Sequence, residues 1–77
     1  MFTIRYERNN VFVNLKGILE IDSLNTIDID RQIRLPHDTK VESHDGDVMI
    51  SYKDHDQEKS IRIVMESGMR DRIIFIG

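Results

Sequence analysis

Three histidines in this chain each stand directly before an aspartate, at His37-Asp38, His44-Asp45 and His55-Asp56. Imidazole nitrogen and carboxylate oxygen are common metal ligands, and a nearby carboxylate favours the protonated imidazole. The pairs therefore indicate either a loop metal site or pH-sensitive patch, or ordinary turn residues of an acidic protein. We favour turn residues, because adjacent side chains in loops and strands often point apart. We expect no metal site and no cofactor.

Motifs for other kinds of catalysis are missing from the sequence. The chain has no cysteine, which excludes a thiol nucleophile, a disulfide and a thiolate metal site. It has neither a glycine-rich phosphate loop nor a serine nucleophile elbow. The alternating acids Asp54, Asp56 and Glu58 match only the start of a calcium loop and predict a solvated hairpin tip. We therefore expect that the protein is not an enzyme.

Arginines form the main candidate for anion binding. Arg62, Arg70 and Arg72 fall on two predicted strands, 60–66 and 70–76, and lie close together if these strands pair. Clustered guanidinium groups bind phosphates or acidic partners bidentately. The net charge of −3 argues against broad contact with nucleic acid. We therefore favour salt bridges to the many aspartates, with anion or nucleic-acid contact as the alternative.

Apolar residues recur at every second position along most of the chain, which predicts strands with one buried face. The predicted strands span 2–8, 11–21, 26–35, 47–53, 60–66 and 70–76, with a short additional strand near 40–42. Pro36 ends the third strand because it cannot donate a ladder hydrogen bond. Arg31, a charge in an apolar row, indicates an edge, a break or a buried partner. We predict one all-β domain over residues 1–77: a small antiparallel sandwich or half-open barrel of six to seven strands.

Turn residues predict how two hairpins pair. Asn9-Asn10 suits a two-residue turn, and the charged segment 54–59 reads as a six-residue loop. The predicted opposing pairs are Ile4 with Leu15 and Ile50 with Ile63. Gly17 interrupts the second strand, which predicts a bulge or a sharp bend there.

Several hydrophobic side chains break the alternation and fall on nominally wet faces. They are Phe12, Met49, Val64 and one face of the continuous apolar run 73–76. Scattered exposed hydrophobic residues are normal in soluble proteins. A chain of 77 residues buries a small core, however, and gains stability from self-association. We therefore predict a partner or subunit interface made of Phe12, Met49, Val64, Ile73 and Phe75.

Two segments resemble known all-β families. GDVMISY at 46–52 followed by SIRI at 60–63 is similar to the tryptophan-activated RNA-binding attenuation protein, whose short all-β subunits form a ring. This resemblance covers about a third of the chain. Of that family's RNA-binding basic residues only Arg62 has a match, so the resemblance does not imply RNA binding. RLP at 34–36 with GDVMI at 46–50 resembles the sandwich of small heat-shock proteins.

These observations predict a non-catalytic protein-interaction or regulatory module. We expect a homo-oligomer that acts by occluding or bridging an unknown protein partner, a mode common among small phage and mobile-element inhibitors. The alternative is a small-ligand or RNA-binding ring-type protein that uses the arginine strip. No apolar run approaches the ~20 residues of a membrane span, and no secretory signal is evident. We therefore expect a soluble, cytoplasmic protein with no membrane contact.

Overall fold

Seven β-strands build the fold in the computed structural model, which describes residues 2–65 and 71–77. They are β1 (Phe2–Tyr6), β2 (Asn10–Glu20), β3 (Thr26–Pro36), β4 (Lys40–His44), β5 (Asp47–Asp54), β6 (Gln57–Val64) and β7 (Arg72–Ile76). They form a single curled sheet, a half-barrel with the order β1-β2-β7-β6-β5-β4, and β3 pairs with β2. The predicted half-open, all-β barrel is confirmed. Nothing in the described part of the chain is a helix long and apolar enough to cross a membrane.

The long strand β2 organises the sheet. β3 pairs with β2 along its entire length, from Asn10 to Glu20. The other edge of β2 is shared, because β1 pairs with its first half and β7 runs parallel to it at Ile18 and Leu19. The sheet is therefore mixed but mostly antiparallel, since β2 and β7 are the one parallel pair among the described strands.

Gly17 marks the point where β7 reaches β2. The predicted bulge is wrong, because β2 pairs with β3 without interruption through this residue. A Cβ atom on Gly17 would overlap the backbone carbonyl oxygen of Asp71. That oxygen accepts a hydrogen bond from the Ile18 amide at 2.8 Å. The missing side chain thus gives room for a close backbone approach.

The β1–β2 hairpin turns one residue earlier than predicted. Tyr6 lies opposite Val11, so the turn residues are Arg8-Asn9. The Glu7 amide donates to the Asn10 carbonyl at 2.9 Å across this turn. Moving the turn by one residue shifts the pairing by two, so the predicted register is wrong while each side chain keeps its predicted face.

The β5–β6 hairpin shows the same two-residue shift. His55 and Asp56 both have positive φ, 51° and 67°, and form the two-residue turn; positive φ at both central positions is typical of type I′. The predicted six-residue loop is therefore wrong, and Ile50 lies opposite Ile61. The predicted turn at Asp45-Gly46 is confirmed, again with two positive φ values.

The core fills the concave side of the half-barrel. Its buried residues are Val11, Val13, Leu15, Leu35, Val48, Ile50, Ile61, Ile63 and Ile73. Burial of each such side chain contributes about 1.5–3 kcal/mol. β3 lies at an edge and its Arg31 is exposed, in agreement with the edge position considered for this residue. β3 ends at Pro36 as predicted, and its carbonyl accepts the Thr39 hydroxyl at 2.7 Å.

Candidate interaction surfaces

Four half-buried apolar side chains lie together on the convex face of the sheet. Residues directly opposite each other in neighbouring strands share a face. Two such rows are Met49–Arg62–Ile74 across β5, β6 and β7, and Val64–Arg72–Ile18 across β6, β7 and β2. We call Ile18, Met49, Val64 and Ile74 the outer patch.

Two ion pairs lie within the outer patch, because Arg62 and Arg72 are the middle members of its two rows. Arg62 donates from Nε and Nη2 to Oδ2 of Asp47, at 2.9 and 2.5 Å. Arg72 donates from Nε to Oε1 of Glu20 at 2.6 Å. The two described arginines of the predicted anion site therefore share one face, but each already binds a carboxylate. The third, Arg70, lies outside the described residues.

The predicted interface residues fall in three different places. Met49 and Val64 are diagonal neighbours across β5 and β6, so the sheet brings these two together. Phe12 is on the same face but stands six positions before Ile18 in β2, roughly 20 Å away at the rise of a strand. The guanidinium carbon of Arg5 lies 4.8 Å from the Phe12 ring centroid. Phe12 is therefore separate from the outer patch.

The run 73–76 contributes to both faces of β7. Ile73 is only 1% exposed and belongs to the core, so its assignment to an exposed interface is corrected. Ile74 takes its place in the outer patch. In a continuous apolar run the sequence does not indicate which residues point inward. The pairing of Ile73 with the core residue Ile63 shows that Ile73 does. Ile18 and Ile74 are missing from the predicted surface because the partners of β7 are not evident from sequence.

Phe75 points to the opposite side from the outer patch. It lines a cleft of about 360 Å³ on the open side of the half-barrel, between β3 and the β5–β6 hairpin. We call this the seam cleft. Its apolar lining comprises Ile33, Leu35, Pro36, Tyr52 and Phe75. Phe75 is 44% exposed, so this inward-facing aromatic ring remains accessible.

A second groove of about 550 Å³ lies on the convex face, across β4, β5, β6 and β7. Three lysines and two serines contribute to it: Lys40, Lys53, Lys59, Ser51 and Ser60. Among the described residues that line it, Ile76 is the one aliphatic side chain. Lysines and serines thus make up most of this groove, whereas arginines and aliphatic and aromatic side chains make up most of the seam cleft.

The histidines lie at exposed turns and strand ends. His44 Nε2 is 3.1 Å from Glu42 Oε2, and His55 Nε2 is 3.6 Å from Asp54 Oδ1. Within residues 2–65 and 71–77 no group of three or more histidines and carboxylates is placed to hold a metal ion. The aspartate contacted by His55 precedes it, so the sequence pair His55-Asp56 is not the pair that meets.

A lysine–aspartate contact joins the two strands of the β5–β6 hairpin next to its turn. Lys59 Nζ donates to Asp54 Oδ2 at 2.8 Å. This hydrogen bond and the charge of Lys59 lower the pKa of Asp54 below its usual range, and the same contact raises the pKa of Lys59. The pair therefore stabilises the hairpin while both groups are charged.

We expect the contribution of this pair to disappear in strong acid. A carboxyl whose folded pKa is depressed stabilises the fold above its unfolded pKa and loses that stabilisation as pH falls through the folded pKa. The contribution of the Lys59 ammonium group to folding stability persists until pH rises through the elevated pKa of Lys59. The free energy of unfolding, measured with urea, should therefore fall less steeply between about pH 5 and pH 2 in Asp54→Asn than in the wild type. Asp56→Asn is the control, because Asp56 forms no ion pair with any described residue; an equal flattening in both variants would contradict the role of the pair.

No family model, curated protein or solved structure matches this chain. The similarities to the ring-forming and heat-shock families therefore rest on their short segments alone. The functional argument below is built from this chain's own surfaces.

Proposed function

We propose that the protein is a non-catalytic interaction module that self-associates through the outer patch and, once assembled, occludes or bridges a protein partner. The proposal rests on one observation above all: apolar side chains from four strands meet on the convex face, outside the core. A second copy of the chain is the occupant that best fits this face.

Charge distribution supports a second copy as the partner. The convex face carries positive and negative charges, and the Arg62–Asp47 and Arg72–Glu20 ion pairs neutralise them within the chain. Two copies related by a twofold axis bring the same patch against itself, so a balanced face meets no net repulsion. A strongly charged partner would instead have to break these pairs.

The amount of exposed surface supports the same proposal. The chain exposes 5740 Å² of accessible surface, whereas a compact monomer of 9.1 kDa exposes about 4,900 Å². The chain as a whole is therefore less compact than a typical monomer of its mass, which favours burial of further surface between copies. Self-association would also supplement the small core, to which the described part of the chain contributes nine buried hydrophobic residues.

Placing a charge in the outer patch should separate the subunits without unfolding them. In Val64→Glu a carboxylate replaces a half-buried apolar side chain on the convex face, away from the core. We expect the dimer dissociation constant to rise by at least about thirtyfold, the effect of losing roughly 2 kcal/mol at an interface centre. Sedimentation velocity at micromolar protein concentration measures the change, and far-UV circular dichroism checks the fold.

Gln32→Glu provides the matched control. Gln32 is exposed on the same convex face, in β3 opposite Asn14, and the variant adds the same charge far from the outer patch. It should assemble as the wild type does. A wild-type protein that stays monomeric at high micromolar concentration, or a Val64→Glu variant that assembles normally, would refute self-association through this face.

A further inference from the structure

We propose that the seam cleft binds a small amphipathic anion: an apolar chain of medium length that ends in a carboxylate or a similar anionic group. The cleft lies on the other side of the sheet from the outer patch. The inference is therefore independent of self-association.

The lining of the cleft suits an apolar chain. Ile33 and Leu35 come from β3, Tyr52 from β5 and Phe75 from β7. Ligand sites in proteins are concave and mainly apolar, with a few polar groups that fix orientation. The exposed ring of Phe75 is the largest apolar surface available to such a ligand here.

The rim of the cleft suits an anionic group. Arg31 lines it from the inner face of β3, and Arg34 and Lys53 line it from the outer faces of β3 and β5. None of the three forms an ion pair with another residue in the described part of the chain. The acid in the lining, Asp54, already binds Lys59 at 2.8 Å. A protein with a net charge of −3 thus places cations that have no ion-pair partner among the described residues around a cleft whose surface is about half apolar. Guanidinium groups bind carboxylates in bidentate geometry.

The width of the seam disfavours a polypeptide strand as the occupant. β3 and β5 are not hydrogen-bonded to each other, yet their Cα atoms approach to within 8 Å. A strand inserted between two others needs about 9.5 Å, twice the usual spacing of neighbouring strands. A single alkyl chain is thinner than a strand and fits a cleft of about 360 Å³.

Titration with sodium decanoate below its micellar concentration tests the proposal. We expect saturable shifts of the ¹⁵N–¹H resonances of Ile33, Tyr52 and Phe75. Decyltrimethylammonium, which has the same chain and the opposite charge, should bind at least about tenfold more weakly. Arg31→Gln should weaken decanoate binding about tenfold, the loss of one hydrogen bond to a charged group.

Lys40→Gln removes the same charge on β4, outside the seam cleft, and should bind decanoate as the wild type does. The Val64→Glu variant should also retain binding, which separates this proposal from the oligomeric one. Equal affinity for the cationic amphiphile, equal weakening by Lys40→Gln, or no saturable shifts would overturn the proposal. Tighter binding of an extended acidic peptide, with new protection of β3 amides, would also overturn it and assign the seam to strand addition.

Discussion

Gly17→Ala should destabilise the protein by about 3 kcal/mol, a large effect for a single added methyl group. The new Cβ would overlap the carbonyl oxygen of Asp71, a backbone atom that cannot move without shifting β7. The same oxygen accepts the Ile18 amide at 2.8 Å. Urea unfolding measures the stability loss, and hydrogen exchange should show that the Ile18 amide loses its protection.

Gly46→Ala is the control that distinguishes the steric overlap at Gly17 from the general loss of stability when a glycine is replaced. Gly46 has φ of +87°, and no atom lies within 4 Å of the position that an added methyl group would occupy. Alanine there should cost about 1 kcal/mol because of the left-handed backbone. The protection of Ile18 should not change. If Gly17→Ala kept both the stability of the wild type and the protection of the Ile18 amide, the close approach of β7 to β2 would be refuted.

Ile61→Ala should severely destabilise the protein, because it truncates a fully buried core side chain. Ile61 is 0% exposed and lies between Ile50 of β5 and Phe75 of β7. Removing its outer carbons leaves a cavity and costs about 2–5 kcal/mol. A domain of this length has a total stability of only about 4–12 kcal/mol. The variant should therefore be partly or wholly unfolded at moderate temperature, as near-ultraviolet and far-ultraviolet circular dichroism would reveal.

Graded substitutions test the reason for this loss. Ile61→Val removes one methylene and should cost about 1 kcal/mol. Ile76→Ala removes the same atoms as Ile61→Ala from a side chain that is 45% exposed, and should cost far less. Comparable losses for Ile61→Ala and Ile76→Ala would contradict the burial pattern. All variants need the same protein concentration, because self-association raises apparent stability.

Alternation in the sequence was enough to predict the strands and their buried faces, because the period of two is a local property. Register depends instead on which residues turn. The pairs Asn9-Asn10 and Arg8-Asn9 differ by one position but shift the hairpin by two. Since a two-residue shift keeps every side chain on its face, the apolar pattern could not choose between them.

Long-range strand pairing explains why two residues of the outer patch were absent from the interface predicted from the sequence. Met49 and Val64 belong to one hairpin and were predictable as exceptions on the same face. Ile18 and Ile74 join them only because β7 lies between β6 and β2. The seam cleft likewise depends on how far the sheet curls toward β3, which no local pattern encodes.

The position of β7 also has a consequence for the order of folding. β1–β3 and β4–β6 are two meanders of local hairpins, and among the described strands β7 alone is hydrogen-bonded to both, through β2 and β6. Each meander can form from contacts near in sequence, but the β2–β7 pair closes a loop that contains β3 to β6. Such closure is slow, so joining the two halves should be a late event. Until then the edges of β2 and β6 stay open, and the chain is most exposed to pairing with strands of other molecules.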